Sequence, residues 1–429
     1  MATIKLDRAV VIGASVAGLL AGRALSSHFG RVIVLDQDEL PERGARAGVP
    51  QGWHTHALLP DGARVIEKLF PGRLEELVRN GAQRFDYGRS RFHMIGGWMP
   101  RIETELVSFA QTRSFLEGHL RRWLGEVPNV AIKASTRVVA LVFDGHRVAG
   151  VELEGGGRLD ADLVIDATGR NTRLPRWLAE WGFGKVPESR VGFNLGYATG
   201  RFRVPDRVRP DHPILYIVGR PPRRTRVGVI LQVEDGMVFS AMGGYHGDHP
   251  PVGFAGFLEF AKSLGQPEIY DVLREAELME PIRRYRIPES VRRYYGRMRR
   301  FPEGILPIGD SVCSLDPAFG QGMTVAAQEA DALAADLDAR SYFARMDAIV
   351  DVPWELSCGE NFKYPQTTGR RPLLFSVTRT LKDRVARSGD PAVVAEFYKV
   401  LALSARPKTL LRARVVARVI RSLISKSQK

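Results

Sequence analysis

The feature that most constrains the fold is a glycine turn that joins an apolar run to a helical pattern near the N-terminus. Residues 8–13 are typical of a buried strand, residues 15–27 of a helix, and residues 31–36 of a second strand. The turn between the first strand and the helix reads GASVAG over residues 13–18. This order predicts a βαβ unit whose helix begins directly at the turn.

The residues of this turn indicate a site for the phosphates of a dinucleotide. Gly13 and Gly18 let the backbone approach a pyrophosphate, and amides at the helix N-terminus can donate to it. Ser15 replaces the middle glycine of the usual motif. Asp36 follows Gly18 by 18 residues, at the end of the second strand, where a carboxylate can accept hydrogen bonds from ribose hydroxyls. The alternative is a glycine turn that serves helix packing only.

Two later segments repeat the pattern of an apolar strand that ends in polar residues. Residues 163–166 lead into the turn ATGR of residues 167–170, and residues 305–308 lead to Asp310. The sequence DPAFGQG then opens a helix at residues 316–322. An acid just past a strand can bind a sugar-alcohol hydroxyl, and a glycine loop at a helix N-terminus brings amides to the edge of a flavin. These segments favour FAD as the dinucleotide.

On these motifs the chain resembles the single-component FAD-dependent monooxygenases of the para-hydroxybenzoate hydroxylase fold. The segment GVPQGWHTH of residues 48–56 and the ATGR turn resemble the branch of the polyether olefin epoxidases and, more distantly, squalene epoxidase. The resemblance covers five segments, namely residues 8–36, 50–62, 112–120, 163–176 and 305–330.

The resemblance implies an α/β fold of three parts. A discontinuous Rossmann-like FAD-binding domain of the GR2 type is expected over residues 1–80, 108–185 and 281–340. An antiparallel β-sheet substrate domain is expected over residues 81–107 and 186–280, and a helical C-terminal segment over residues 341–429.

The resemblance also implies which residues hold the cofactor. The family's ribityl-binding aspartate falls on Asp310, its flavin loop on residues 317–322, and its diphosphate-binding arginine on Arg113, at the start of a helix. The full expected set of cofactor-binding residues is Gly13, Ser15, Ala17, Gly18, Asp36, Arg113, Gly169, Asp310, Pro317, Gly320, Gly322 and Met323.

No catalytic base can be assigned from the sequence, and His54 and His56 are the candidate catalytic residues. Both lie in a loop expected beside the flavin, where an imidazole can hydrogen-bond the cofactor or polarise a substrate. The alternative is that they cap the next helix or fill a packed loop.

The implied activity is insertion of one oxygen atom from O2 into a lipophilic or aromatic, natural-product-like substrate. A flavin hydroperoxide would deliver the atom by epoxidation or hydroxylation, and NADPH or NADH would bind transiently as reductant. Two departures concern this reductant, because Thr168 stands where relatives often have aspartate and Trp53 where many have arginine. A separate flavin reductase is the alternative source of electrons.

Three other functions use related scaffolds. An FAD-dependent reductase of isoprenoid double bonds would need no O2, and a non-catalytic flavin-binding protein would need no reductant. A flavin-dependent halogenase also shares the fold, but its Trp-x-Trp-x-Ile-Pro signature is absent from the chain.

The charge and the cysteine content restrict the partners and the compartment. The net charge of +14 is compatible with an anionic membrane or cosubstrate, whereas nucleic acid is not expected because no binding motif accompanies it. Two cysteines and no signal-peptide pattern favour the reducing cytoplasm, and no Cys/His cluster has the spacing of a metal site.

The C-terminal segment carries an amphipathic pattern. Apolar pairs recur near helical spacing over residues 410–424, with Arg414, Arg418 and Arg421 on the opposite face. One interpretation is an interfacial helix on an anionic inner membrane surface. The other, which we favour, is a terminal helix docked on the protein body.

Overall fold

The computed structural model describes residues 6–371 except 43, 45 and 47, and residues 383–427 except 387. The helices within these residues are α1 (Val16–Leu25), α2 (Pro60–Leu69), α3 (Arg73–Arg79), α4 (Arg113–Gly125), α5 (Leu174–Glu180), α6 (Phe254–Lys262), α7 (Glu268–Leu273), α8 (Gly322–Ala335), α9 (Ala339–Asn361), α10 (Pro391–Leu401) and α11 (Ala413–Ser427).

The strands are β1 (Leu6–Ile12), β2 (Phe29–Leu35), β3 (Ala57–Leu58), β4 (Gln83–Asp86), β5 (Arg91–Met94), β6 (Gly97–Trp98), β7 (Val107–Ala110), β8 (Val130–Lys133), β9 (Val138–Phe143), β10 (Val148–Leu153), β11 (Arg158–Asp160), β12 (Leu163–Asp166), β13 (Glu188–Arg203), β14 (Ile214–Val218), β15 (Arg226–Gln232), β16 (Val238–Gly244), β17 (Glu277–Leu278), β18 (Arg283–Arg293), β19 (Ile305–Pro307), β20 (Cys313–Ser314) and β21 (Thr368–Gly369).

A parallel sheet forms the Rossmann-like core that the glycine turn predicts. Its order is β19-β12-β1-β2-β8, so strands far apart in sequence lie side by side. Ile12 lies opposite Asp166, and Asp166 lies opposite Pro307. The three predicted motifs therefore follow neighbouring strands at the same edge of the sheet, which is where α/β folds bind their ligands.

The glycine turn fits this edge only because it lacks side chains. Gly13 has a φ of +108°, and a Cβ atom on it would lie 2.6 Å from the carbonyl oxygen of Ala167. A Cβ atom on Gly18 would lie 1.8 Å from the carbonyl oxygen of Gly13. Helix α1 can thus approach the strand ends closely.

A sheet that is antiparallel except for the parallel pair β14–β5 forms the second layer, in the order β20-β18-β13-β16-β15-β14-β5-β6. Strands β17 and β21 both pair with β13 at its margins. One face packs on α6 and α7 through buried residues such as Ala198, Ile217 and Met242. Since side chains alternate along a strand, the residues directly before and after these point to the opposite face, toward the parallel sheet.

The antiparallel sheet continues beyond residue 280, which was the last residue expected in the substrate domain. Strand β18 pairs with β13 over most of its length, although residues 281–340 were expected in the cofactor domain. Its sequence, RRYRIPESVRR, contains a proline and few apolar residues, so its pattern did not indicate a long strand. The expected domain boundaries are otherwise not tested by the structure.

The C-terminal helix packs against the protein body. Val415 and Val419 of α11 are buried, and Arg418 pairs with Asp390 at 3.1 Å. Ile420 on the same helix is exposed. Within the described part of the chain, no helix is both long enough and apolar enough to cross a membrane.

We expect Gly18→Ala to destabilise the protein strongly. The new methyl group would overlap the backbone of Gly13, and overpacking of this kind costs about 2 kcal/mol or more. Gly125→Ala at the end of α4 is the matched control, because nothing lies within 4 Å of its Cβ position. Urea denaturation measures both free energies of unfolding, and equal stabilities of the two variants would contradict this packing argument.

Candidate cofactor and substrate site

A cavity of about 330 Å³ lies between the edge of the parallel sheet and the antiparallel sheet. It brings together most of the residues that the sequence predicts for the site. Those in its lining are Ser15, Ala17, His54, His56, Arg113, Gly169, Asp310, Pro317, Gly320, Gly322 and Met323.

Three predicted residues do not line the cavity. Gly13 and Gly18 lie behind its wall and set the path of the turn through the close contacts described above. Asp36 is 7% exposed and already accepts hydrogen bonds from the amides of Ala14 (2.6 Å) and Asp38 (3.0 Å). Its carboxylate therefore fastens the glycine turn, which limits its capacity for a ribose.

Arg46 completes the surroundings of Asp36 and was missed by sequence reasoning. Its guanidinium lies 2.6 Å from the Asp36 carboxylate and 3.5 Å from that of Glu117. Glu117 also accepts a hydrogen bond from Arg113 Nε at 2.8 Å. This buried ion network connects the end of β2 with the arginine that reaches the cavity.

The turn after β12 and the segment after β19 are joined directly. The amide of Gly169 donates to Ser311 Oγ at 2.9 Å, and the Cβ position of Gly169 lies 3.9 Å from that of Asp310. A Cβ atom on Gly309 would lie 2.9 Å from that of Ala17. Thus three remote stretches of the chain meet at one place, as the motifs predict.

Two helix N-termini face the cavity with free hydrogen-bonding capacity. Ser15 precedes α1 without making a side-chain cap bond, so the first amides of α1 can serve a ligand. Residues 320–323 bring the start of α8 to the cavity, and the side-chain oxygen of Gln321 is buried without a partner among the described residues. The amides at these helix N-termini suit the phosphates and polar edge of a dinucleotide such as FAD, and the Gln321 oxygen is available as an acceptor.

The two candidate histidines are neutral at physiological pH. Burial, followed by the nearby charge of Arg283, lowers the pKa of His54 to about 4, and its Nδ1 lies 2.7 Å from Thr199 Oγ1. Burial and the charge of Arg113 lower the pKa of His56 to about 3. His56 Nδ1 donates to the carbonyl oxygen of His54 at 2.9 Å, which leaves Nε2 as an acceptor.

Asp316 in the loop before α8 is a buried carboxyl group of the cavity wall. It accepts hydrogen bonds from Tyr245 Oη (3.0 Å), Asn361 Nδ2 (3.1 Å) and the amide of Ala318 (3.0 Å). Burial outweighs these bonds and raises its pKa to about 6. The motif DPAFGQG contains this residue, but nothing in the sequence shows that it is buried.

The substrate-facing wall follows from the strand register. Tyr197 of β13 lies opposite Tyr285 of β18 and Gly243 of β16. The lining residues of the sheet include Leu195, Tyr197, Tyr216, Val227, Val229, Ala241, Gly243, Tyr285 and Ile287. Tyr216 Oη donates to the carbonyl oxygen of Ala318 at 2.9 Å, which connects this apolar and aromatic wall to the loop before α8.

Comparisons with known proteins agree with this architecture, although no protein-family model matches the chain. Protein Rv3254 of Mycobacterium tuberculosis (strain ATCC 25618 / H37Rv) is 34% identical over 364 residues, which cover 81% of this chain and 76% of that protein.

Three solved structures share the fold at low sequence identity. The flavoprotein/dehydrogenase from Cytophaga hutchinsonii has a TM-score of 0.67 at 15% identity, over 99% of this chain and 100% of its own. PqsL, a probable FAD-dependent monooxygenase from Pseudomonas aeruginosa, has a TM-score of 0.62 at 17% identity, over 84% and 98%. The flavin-dependent brominase Bmp2 has a TM-score of 0.63 at 14% identity, over 99% of both chains.

We expect Glu329→Gln to change how stability depends on pH. Glu329 is fully buried on α8, accepts a hydrogen bond from the amide of Gly309, and has a pKa raised by burial to about 8. Between about pH 5 and pH 8 the folded chain therefore holds a proton that the unfolded chain releases, so wild-type stability falls as pH rises. Glutamine keeps the acceptor but cannot ionise.

Urea denaturation at pH 5, 6.5 and 8.5 measures this effect. The free energy of unfolding of the variant, relative to that of the wild type, should rise by about 2 kcal/mol or more toward high pH. The reason is that each unit of pKa shift corresponds to about 1.4 kcal/mol. Glu154→Gln, at an exposed glutamate, is the control. Parallel curves for wild type and Glu329→Gln would show that Glu329 is ionised in the folded protein.

Proposed function

The chain belongs to the same family as protein Rv3254 of Mycobacterium tuberculosis and has the fold of the FAD-dependent monooxygenases, and we propose that it is an FAD-dependent monooxygenase. The observation that carries this proposal is the meeting of the α1 turn, the turn after β12 and the loop before α8 at one cavity. The proposed reaction is the transfer of one oxygen atom from O2 to a small molecule, by epoxidation or hydroxylation.

We assign the parts of FAD to the residues that can hold them. The amides at the start of α1 and the guanidinium of Arg113 suit the diphosphate, because both are positive and line the cavity. Asp310 suits the hydroxyls of the ribityl chain, and the glycine loop before α8 suits the ring system. When bound, FAD supplies the activation of O2, with electrons from NADPH or NADH.

The protein's own groups orient the substrate and exclude water. The apolar sheet wall buries the substrate, which supports a lipophilic or aromatic compound. His54 and His56, being neutral, serve as hydrogen-bond partners rather than as cations. Asp316, with a pKa of about 6, is the carboxyl group of the wall that we assign to holding or releasing a proton near neutral pH.

Two finer points are part of the same proposal. We propose a cytoplasmic location, which the two buried free thiols of Cys313 and Cys358 support. We assign α11 to docking on the protein body rather than to membrane contact, since Val415 and Val419 of its apolar face are already buried.

The purified protein should be yellow and should insert one atom of oxygen from labelled O2. We expect FAD bleaching by NADPH under nitrogen, and one 18O atom in the product when substrate and 18O2 are added. Saturation of an alkene without O2 would establish the reductase alternative, and a brominated product with bromide would establish the halogenase. A colourless protein that does not take up FAD would disprove the proposal.

Asp310→Ala should weaken FAD binding. Loss of a charged hydrogen-bond acceptor costs roughly 1.5–3 kcal/mol, which corresponds to an increase in Kd of about ten- to a hundredfold. Asp331→Ala on α8 is the matched control, because this carboxylate pairs with Lys68 near the surface and does not line the cavity. Fluorescence titration of the apoprotein with FAD measures both, and equal affinities would remove Asp310 from the flavin site.

A further inference from the structure

We propose that Arg283, held against Trp53, binds an acidic group at one end of the substrate. The inference rests on the proposed monooxygenase function and names a substrate class for the same cavity. The proposed substrate is a molecule with an apolar or aromatic body and a terminal carboxylate or phosphate.

The strand register places Arg283 on the cavity face of the antiparallel sheet. Along β18, Ile287 and Tyr285 line the cavity, and Arg283 is the next residue on the same face. Its partner across the ladder is Thr199 of β13. The row of apolar and aromatic side chains therefore ends in a guanidinium group.

The surroundings of Arg283 connect it to the cavity wall. Thr199 Oγ1 lies 2.7 Å from His54 Nδ1, and the His54 ring packs edge-on against Tyr197 with centroids 4.5 Å apart. The charge of Arg283 acts on this histidine and contributes to the lowered pKa of His54. Arg283 is thus electrostatically coupled to a residue that lines the cavity.

Arg283 is exposed and contacts one aromatic ring, and no described carboxylate compensates its charge. Its guanidinium carbon lies 3.9 Å from the ring centroid of Trp53, a cation–π contact that favours this position of the group. No carboxylate within the described residues forms an ion pair with it, whereas Arg113 pairs with Glu117 at 2.8 Å. Arg170, the other arginine of the lining, donates to the carbonyl oxygen of Glu289.

These features match recognition of a carboxylate or phosphate group. A guanidinium group in contact with an aromatic ring loses less freedom on binding than an unsupported one, and it can donate two parallel hydrogen bonds to a carboxylate or phosphate. Burial of the body of the ligand against Tyr197 and Tyr285 would supply the apolar part of the affinity. An uncharged analogue would keep only the affinity that comes from burial of its apolar body.

The test compares acids with their own amides. FAD-loaded protein, verified by its absorbance spectrum, is titrated calorimetrically with benzoate, 2-naphthoate, 4-phenylbenzoate and dodecanoate, and with the four matched primary amides. We expect at least one acid to bind about tenfold or more tightly than its amide. Arg283→Gln should bring this ratio near one, and Arg283→Lys should restore part of it.

Arg284→Gln is the matched control. Arg284 is the adjacent arginine of the same strand, is exposed like Arg283, and points to the opposite face. This variant changes the net charge equally and should keep the preference for the acid. A merely structural role of Arg283 would lower the affinity for acid and amide together and leave their ratio unchanged.

The possible outcomes separate this inference from the proposed function. An acid-to-amide ratio that is the same in wild type and Arg283→Gln overturns the inference, as does a series in which no acid binds more tightly than its amide. A variant that changes only the Kd for NADPH would assign Arg283 to the phosphates of the reductant instead. Failure to load FAD would count against the monooxygenase proposal itself.

Discussion

Close backbone packing at the edge of the parallel sheet is the constraint on which the rest of the structure depends. Gly13 meets the carbonyl group of Ala167, Gly18 meets that of Gly13, and Gly309 meets the side chain of Ala17. These contacts tolerate no Cβ atom, and they bring three stretches of chain into one surface. The cavity exists because the second sheet closes over that surface.

Burial beside this cavity selects uncharged forms of titratable groups. Glu329 under the Gly309 turn retains its proton, and His54 and His56 release theirs. Each would have to ionise in a poorly solvated place, which is unfavourable without a partner of opposite charge. Arg113 in the cavity lining does have a partner of opposite charge, because Glu117 accepts a hydrogen bond from its Nε at 2.8 Å.

The sequence predicted the features that depend on local geometry. A strand, a glycine turn and a helix imply one another, so the βαβ unit and the position of Asp310 could be inferred from short motifs. The contacts of Asp36 with Ala14, Asp38 and Arg46 could not, because Arg46 lies in a glycine-rich loop without periodic structure. Long-range ion pairs leave no pattern in one sequence.

Sequence patterns did not indicate strand β18 for a related reason. Its strand conformation depends on pairing with β13 rather than on the pattern of its own residues. Its pairing with β13 contains a bulge between Gly192 and Leu195, where Asn194 has a φ of +43° and accepts a hydrogen bond from Arg286 Nε. Adding or removing one residue at a bulge turns every following side chain to the opposite face of the sheet. The bulge at Asn194 thus decides that Leu195, Tyr197 and Thr199 share the cavity face with Arg283, which no motif within β18 could reveal.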